Sequence, residues 1–194
     1  MNTLITGPMF SGKSTFLLQK IERAVYGKKS VLLIRPKNDD RGYFTHSDGR
    51  MNKLLSTLID TKKIDFKEVT EFKEDDLEFI KDYDSIFVDE YFMIKNNALV
   101  AKEMQNYKGK QEIYFAGLLS TSENQLFDEA ITLLPYCENI IKLNGVCMEC
   151  GDDNANYSMY KGDSKTQKII VGDEDKYECV CKACYERIKG KEHL

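Results

Sequence analysis

The sequence has no tryptophan, only two histidines (His46 and His193), and no apolar run approaching the length of a membrane span. Neither histidine has a partner in the sequence that points to catalysis, and His193 lies in a charged C-terminal tail. There is no excess of positive charge either. Lys and Arg total 28 against 32 Asp and Glu, a formal net charge of -4, so the surface as a whole is not built to attract nucleic acid. The opening "MNTLITG" reads as a short strand entering a glycine turn, not as a charged leader with an apolar core. These absences lead us to expect a cytoplasmic protein with no membrane and no nucleic-acid partner. The six cysteines fit a reducing compartment, because four of them have metal-site spacing and no secretion signal accompanies them.

What is present is the balance of a folded globular chain, with 42% hydrophobic and 31% charged residues over 194 positions. Short apolar runs recur as "TLIT", "SVLLIRP", "SIFVDE", "EIYFAG" and "NIIKLN", and such runs suit strands buried on both faces. Between the first two, Leu17, Ile21, Ala24 and Val25 form one helical stripe that Gly27 is expected to close. "EDDLEFIKDY" and "NALVAKEMQNY" predict two further helices, the second ending near Gly109. "RGYFTHSDGR" has no clear periodicity and reads as a loop. Strand–helix alternation of this kind predicts an α/β fold, a parallel sheet flanked by helices. After Asn144 the composition turns polar and cysteine-rich. We therefore expect residues 1–144 to form the nucleotide-binding domain and residues 145–194 a small metal-held one.

"GPMFSGKS" fits the phosphate-loop pattern without a gap, placing Gly7, Pro8, Met9, Phe10, Ser11, Gly12, Lys13 and Ser14 around a nucleotide. In such a P-loop, glycines let successive N–H groups converge on phosphate oxygens at a helix N-terminus. Lys13 reaches the β and γ phosphates, and Ser14 ligates Mg²⁺. The strand "SIFVD" ends in Asp89 and Glu90, which can divide the remaining work. Asp89 serves the Mg²⁺, and Glu90 takes a proton from a water or an acceptor hydroxyl. These motifs specify ATP or a similar triphosphate with Mg²⁺, and leave hydrolysis and transfer both open.

"CMEC" and "CKAC" supply Cys147, Cys150, Cys181 and Cys184, with 30 residues (151–180) between the pairs. Two such knuckles can wrap four thiolates around Zn²⁺. With every position filled by sulfur, the metal is structural, and the long intervening loop is free for another task. Cys137 and Cys179 read as ordinary thiols.

A P-loop at the N-terminus, a "DE" strand end, and "VCMECG" with "VGDEDKYECVCKACY" together resemble the type II thymidine kinases over nearly the whole chain. The resemblance implies transfer of the γ-phosphate of ATP to the 5′-hydroxyl of thymidine, in a homotetramer, with Glu90 as the base. It places Asp39 and Arg41 near the phosphates and Met9 and Phe127 in the apolar pocket. It also folds a zinc-bound lasso over the nucleoside. In the lasso Lys168, Ile169, Ile170, Val171 and Gly172 grip the base through their backbone, Tyr177 packs nearby, and Ser158 supplies a hydroxyl. The chain departs from the family pattern at Phe92, Ser122 and Tyr160.

Two other readings stay open at the level of sequence. One is a zinc-containing P-loop NTPase that acts as a nucleic-acid-binding switch. The other is a weakened homologue that senses nucleoside without turning it over.

Overall fold

The computed structural model describes residues 1–39, 49–106, 111–162 and 176–191. Its larger part is a parallel sheet of six strands in the order β3-β2-β4-β5-β1-β6. These are β1 (Asn2–Thr6), β2 (Val31–Pro36), β3 (Asp65–Val69), β4 (Ser85–Asp89), β5 (Glu112–Gly117) and β6 (Asn139–Lys142). Helices α1 (Lys13–Tyr26), α2 (Gly49–Asp60), α3 (Glu74–Ile80), α4 (Asn97–Asn106) and α5 (Asp128–Leu133) make the connections. Among the described residues, no helix is long and apolar enough to cross a membrane.

The period of two along the strands sorts the core into two halves. Leu4, Leu32, Ile86, Ile113 and Phe115 pack with Ile80 of α3, Val100 and Met104 of α4, and Leu133 of α5. Ile5, Leu33, Phe87 and Ala116 face the other way, onto Leu17 and Ile21 of α1 and Leu55 and Leu58 of α2. Both faces of the central strands are covered, which is why those strands read as unbroken apolar runs.

The five expected strands are present as β1, β2, β4, β5 and β6. The last is an edge strand with Ile140 56% exposed, so it is not buried on both faces as its sequence suggested. At the opposite edge, β3 was not foreseen, since "DFKEV" carries the charges that edge strands tolerate. Helices α2 and α5 were also unforeseen, and α2 begins at Gly49, inside the segment read as a loop. Position 109, expected to end α4, lies outside the described residues.

Gly27 closes α1 as expected, as its C-cap. Gly27 has φ -73, and the left-handed residue is Lys28 at φ 56. Lys28 N donates to Val25 O (3.0 Å) and Lys29 N to Ala24 O (3.1 Å), the paired bonds of a Schellman close. A lysine thus occupies the position where glycine costs least. Lys28→Gly is expected to raise stability by about 0.5–1 kcal/mol, read from the midpoint of urea unfolding.

A smaller C-terminal unit holds the antiparallel pair β7 (Tyr157–Tyr160) and β8 (Tyr177–Val180), followed by α6 (Lys182–Lys191). Its core of Ala155, Met159, Cys179 and Val180 with Cys147, Cys181 and Cys184 packs against Phe10, a residue of the P-loop. Helix α6 gave no apolar stripe in the sequence because half of its positions are charged.

Candidate active site

The P-loop leaves β1 at Thr6. A side chain on Gly7 would collide with the Leu143 carbonyl and the Ser11 hydroxyl, so glycine is required there. Gly12 sits at φ 80 and Phe10 at φ 63, which bends the loop back on itself. Ser11 Oγ donates to Pro8 O at 2.8 Å, and Lys13 Nζ donates to the same carbonyl at 2.6 Å. The loop is closed across Pro8, with an ammonium at the start of α1. The first-turn amides of that helix have no intrahelical acceptor, so the local field is positive and suits an anion.

Asp89 and Glu90 stand at the same end of the sheet. Thr6 registers with Gly117 of β5, while Asp89 registers with Ala116. Asp89 is only 2% exposed. Its charge is met by Arg35 of β2, whose Nε lies 3.6 Å away, while Arg35 Nη2 donates to Asp39 at 2.8 Å. The structure therefore gathers Asp39, Asp89 and a cation the sequence reading passed over. The available signal was an arginine at the end of an otherwise apolar strand, "VLLIRP". Glu90 is partly exposed and left-handed, φ 49 and ψ 45. That conformation is costly for a residue with a side chain and concentrates at functional sites.

A cavity of about 70 Å³ opens beside the P-loop between Gly7, Pro8, Leu118, Lys142 and Ser158. Ser158 Oγ accepts from Met9 N at 2.9 Å, joining β7 directly to the loop. Phe127 is buried at the start of α5, and Phe92 stacks on it with ring centres 4.7 Å apart and planes 25° apart. The Tyr185 hydroxyl of α6 donates to Ser122 O at 3.3 Å. Tyr177 lies beside Tyr160, ring centres 5.3 Å apart. The P-loop, the strand-end carboxylates and the C-terminal unit are thus linked through specific contacts. Arg41 and residues 168–172 (Lys168, Ile169, Ile170, Val171 and Gly172) lie outside the described residues.

The sulfur atoms of Cys147, Cys150, Cys181 and Cys184 all lie within 4.8 Å of one another. Cys150 Sγ and Cys181 Sγ are 3.8 Å apart. Four thiolates at Zn–S distances of about 2.3 Å on a tetrahedron stand about 3.8 Å from each other, so the set fits Zn²⁺. Burial works to raise the Cys147 thiol, but backbone N–H groups of Cys181, Cys150 and Glu149 outweigh it and hold it down at about 6. Cys179 lies outside the cluster, fully buried, its thiol pushed up to about 11 by burial.

Comparison with known proteins agrees with this arrangement. A family model described as thymidine kinase matches residues 2–185. The thymidine kinase of monkeypox virus is 34% identical over 185 residues, 94% of each chain. That of vaccinia virus (strain Western Reserve) is 32% identical over 185 residues, again 94% of each. The thymidine kinase of Acanthamoeba polyphaga mimivirus is 30% identical over 194 residues, 99% of this chain and 84% of its own. With a P-loop, a buried strand-end aspartate and a four-cysteine cluster inside a match of that extent, the chain belongs to the thymidine kinase family.

Proposed function

We propose that the protein transfers the γ-phosphate of ATP to the 5′-hydroxyl of thymidine. The observation that carries this reading is the family match over residues 2–185, which contains both the P-loop and the carboxylate pair. The polyphosphate lies along the loop amides, with Lys13 drawing charge from the transferring group. Mg²⁺, which neutralises phosphate charge, would be held by oxygen donors of the kind Ser14 and the buried Asp89 supply. Glu90 accepts the 5′-hydroxyl proton as that oxygen attacks the γ-phosphorus. The bond to the β–γ bridging oxygen breaks, and ADP leaves.

Asp39, Arg41 and Arg35 set the charge around the phosphates. Met9, Phe127, Ser158 and Tyr177, with the backbone of residues 168–172, enclose the pyrimidine and exclude water, so that the bound hydroxyl competes as acceptor. Residues 145–194 act as a zinc-held unit whose metal shapes this enclosure and takes no part in the transfer. We place the enzyme in the cytoplasm as a homotetramer that acts on free nucleoside.

The test is transfer from ATP·Mg²⁺ to each of the four deoxynucleosides. Thymidine is expected to be the preferred acceptor. Consumption of ATP with none of the four nucleosides phosphorylated would overturn the reading.

A further inference from the structure

The 3₁₀ turn Tyr91–Met93 directly follows Glu90 and fixes where its side chain leaves the backbone. Met93 N donates to Glu90 O and Ile94 N to Tyr91 O, both at 2.9 Å. The turn is gripped from beneath by Asn97, a fully buried asparagine at the start of α4. Its Nδ2 donates to Tyr91 O (2.9 Å), Ile94 O (2.5 Å) and Glu129 Oε2 (3.0 Å). Its Oδ1 is buried with no hydrogen-bond partner among the described residues. The surroundings of Asn97 thus consist of acceptors, and the position demands a donor.

Glu129 completes the arrangement from α5. Besides Asn97 Nδ2, its carboxylate accepts from Asn96 N (3.1 Å) and Asn97 N (3.2 Å). Two residues before it stands Phe127, on which Phe92 of the turn is stacked. The Tyr91 hydroxyl, its pKa pushed well above the ordinary range by burial, donates to Leu118 O at the rim of the cavity. Glu90 therefore leaves the chain from a turn bound on three sides: to α4, to α5 and to the chain just beyond β5.

We propose that Asn97 and Glu129 are positioning residues, a buried amide–carboxylate clamp that holds Glu90 in its left-handed conformation and in register with Phe127. The proposal rests on the reading of Glu90 as the base. A left-handed glutamate persists only where its surroundings over-determine it. Here the clamp supplies that constraint, and it also ties the proton acceptor to the apolar wall of the acceptor pocket. Loosening it leaves the P-loop and pocket residues in place and lets the carboxylate wander.

The test compares kcat and thymidine KM for Asn97→Ala, Asn97→Asp, Glu129→Ala and Glu129→Gln, with Glu90→Gln alongside and thermal melting for each. Asn97→Ala and Glu129→Ala are expected to lose about 10–100-fold in kcat with KM changed by less than about threefold, the pattern of a misplaced catalytic group. Glu129→Gln keeps an acceptor for the Asn96 and Asn97 amides and is expected to retain most of kcat. Asn97→Asp is nearly isosteric but sets a carboxylate against two carbonyls and Glu129, and is expected to be worse than alanine. Should the Asn97 variants fail to fold, the Glu129 pair decides.

Alanine variants that melt lower but keep the parent kcat would reduce the clamp to a structural contact and overturn the proposal. A rise in KM alone would overturn it as well. Full activity in Glu90→Gln would instead overturn the reading of Glu90, and the clamp's role with it.

Discussion

Replacing Glu90 by glutamine is expected to lower kcat by about two to four orders of magnitude while changing the thymidine KM little. Glutamine keeps the length and volume of the side chain and can still accept a hydrogen bond from the 5′-hydroxyl. It cannot accept the proton that the hydroxyl must lose as the new P–O bond forms. The loss therefore falls on the transition state and not on binding. The substitution is also mild for the fold. Glu90 is partly exposed, and its left-handed backbone is held by the turn and by Asn97, whose bonds do not involve the Glu90 carboxylate. An unchanged melting temperature beside a collapsed kcat in a single-turnover assay is the expected result. A Glu90→Gln enzyme within tenfold of the parent would remove Glu90 as the base and shift attention to the buried Asp89, which an arginine already neutralises.

Most of the sheet could be read from the sequence because its central strands are buried on both sides, and continuous burial leaves a continuous apolar run. The edges carried no such mark. Strand β3 carries charge at Asp65, Lys67 and Glu68, and β6 leaves Ile140 exposed, since an edge strand answers to solvent as much as to core. The end of α1 was legible at Gly27, its C-cap, but nothing in the sequence marked Lys28, one position on, as the left-handed residue. No propensity favours lysine there; the hydrogen bonds back to Ala24 and Val25 decide it.

At the site, the P-loop and the cysteine pairs were legible because their chemistry fixes residue type at a fixed spacing. Arg35 and Asn97 were not, for a common reason. Arg35 meets Asp89 only when β2 and β4 pair, and Asn97 meets Glu129 only when α5 packs against α4. Those two pairings are created by topology, and the sequence names neither partner.

Removing the zinc is expected to have the second large effect, on both fold and activity. The C-terminal unit has a small core: Ala155, Met159, Cys179, Val180 and three of the four paired cysteines, Cys147, Cys181 and Cys184, with a few aromatic neighbours. Structural Zn²⁺ at four thiolates contributes on the order of 10 kcal/mol in small metal-held units, more than a core of this size supplies alone. Cys181→Ser or Cys147→Ser should therefore reduce zinc from one per chain to a small fraction, read by elemental analysis.

The six-stranded sheet has its own two cores and is expected to stay folded, so loss of the unit should appear as new proteolytic cuts confined to the region after Asn144. Activity should fall with it, by about 100-fold or more, because enclosure of the reacting groups is lost along with the unit. The contacts at stake are specific: Ser158 to the Met9 amide, Tyr185 to Ser122, and Phe10 packed into the cysteine-rich core. The metal also links the site to pH. Zinc binds thiolate, so uptake by the apoprotein releases protons. Zinc uptake is therefore expected to weaken as the pH falls and the thiols hold their protons. A serine variant that keeps a full equivalent of zinc and full kinase activity would show that these cysteines do not hold the metal.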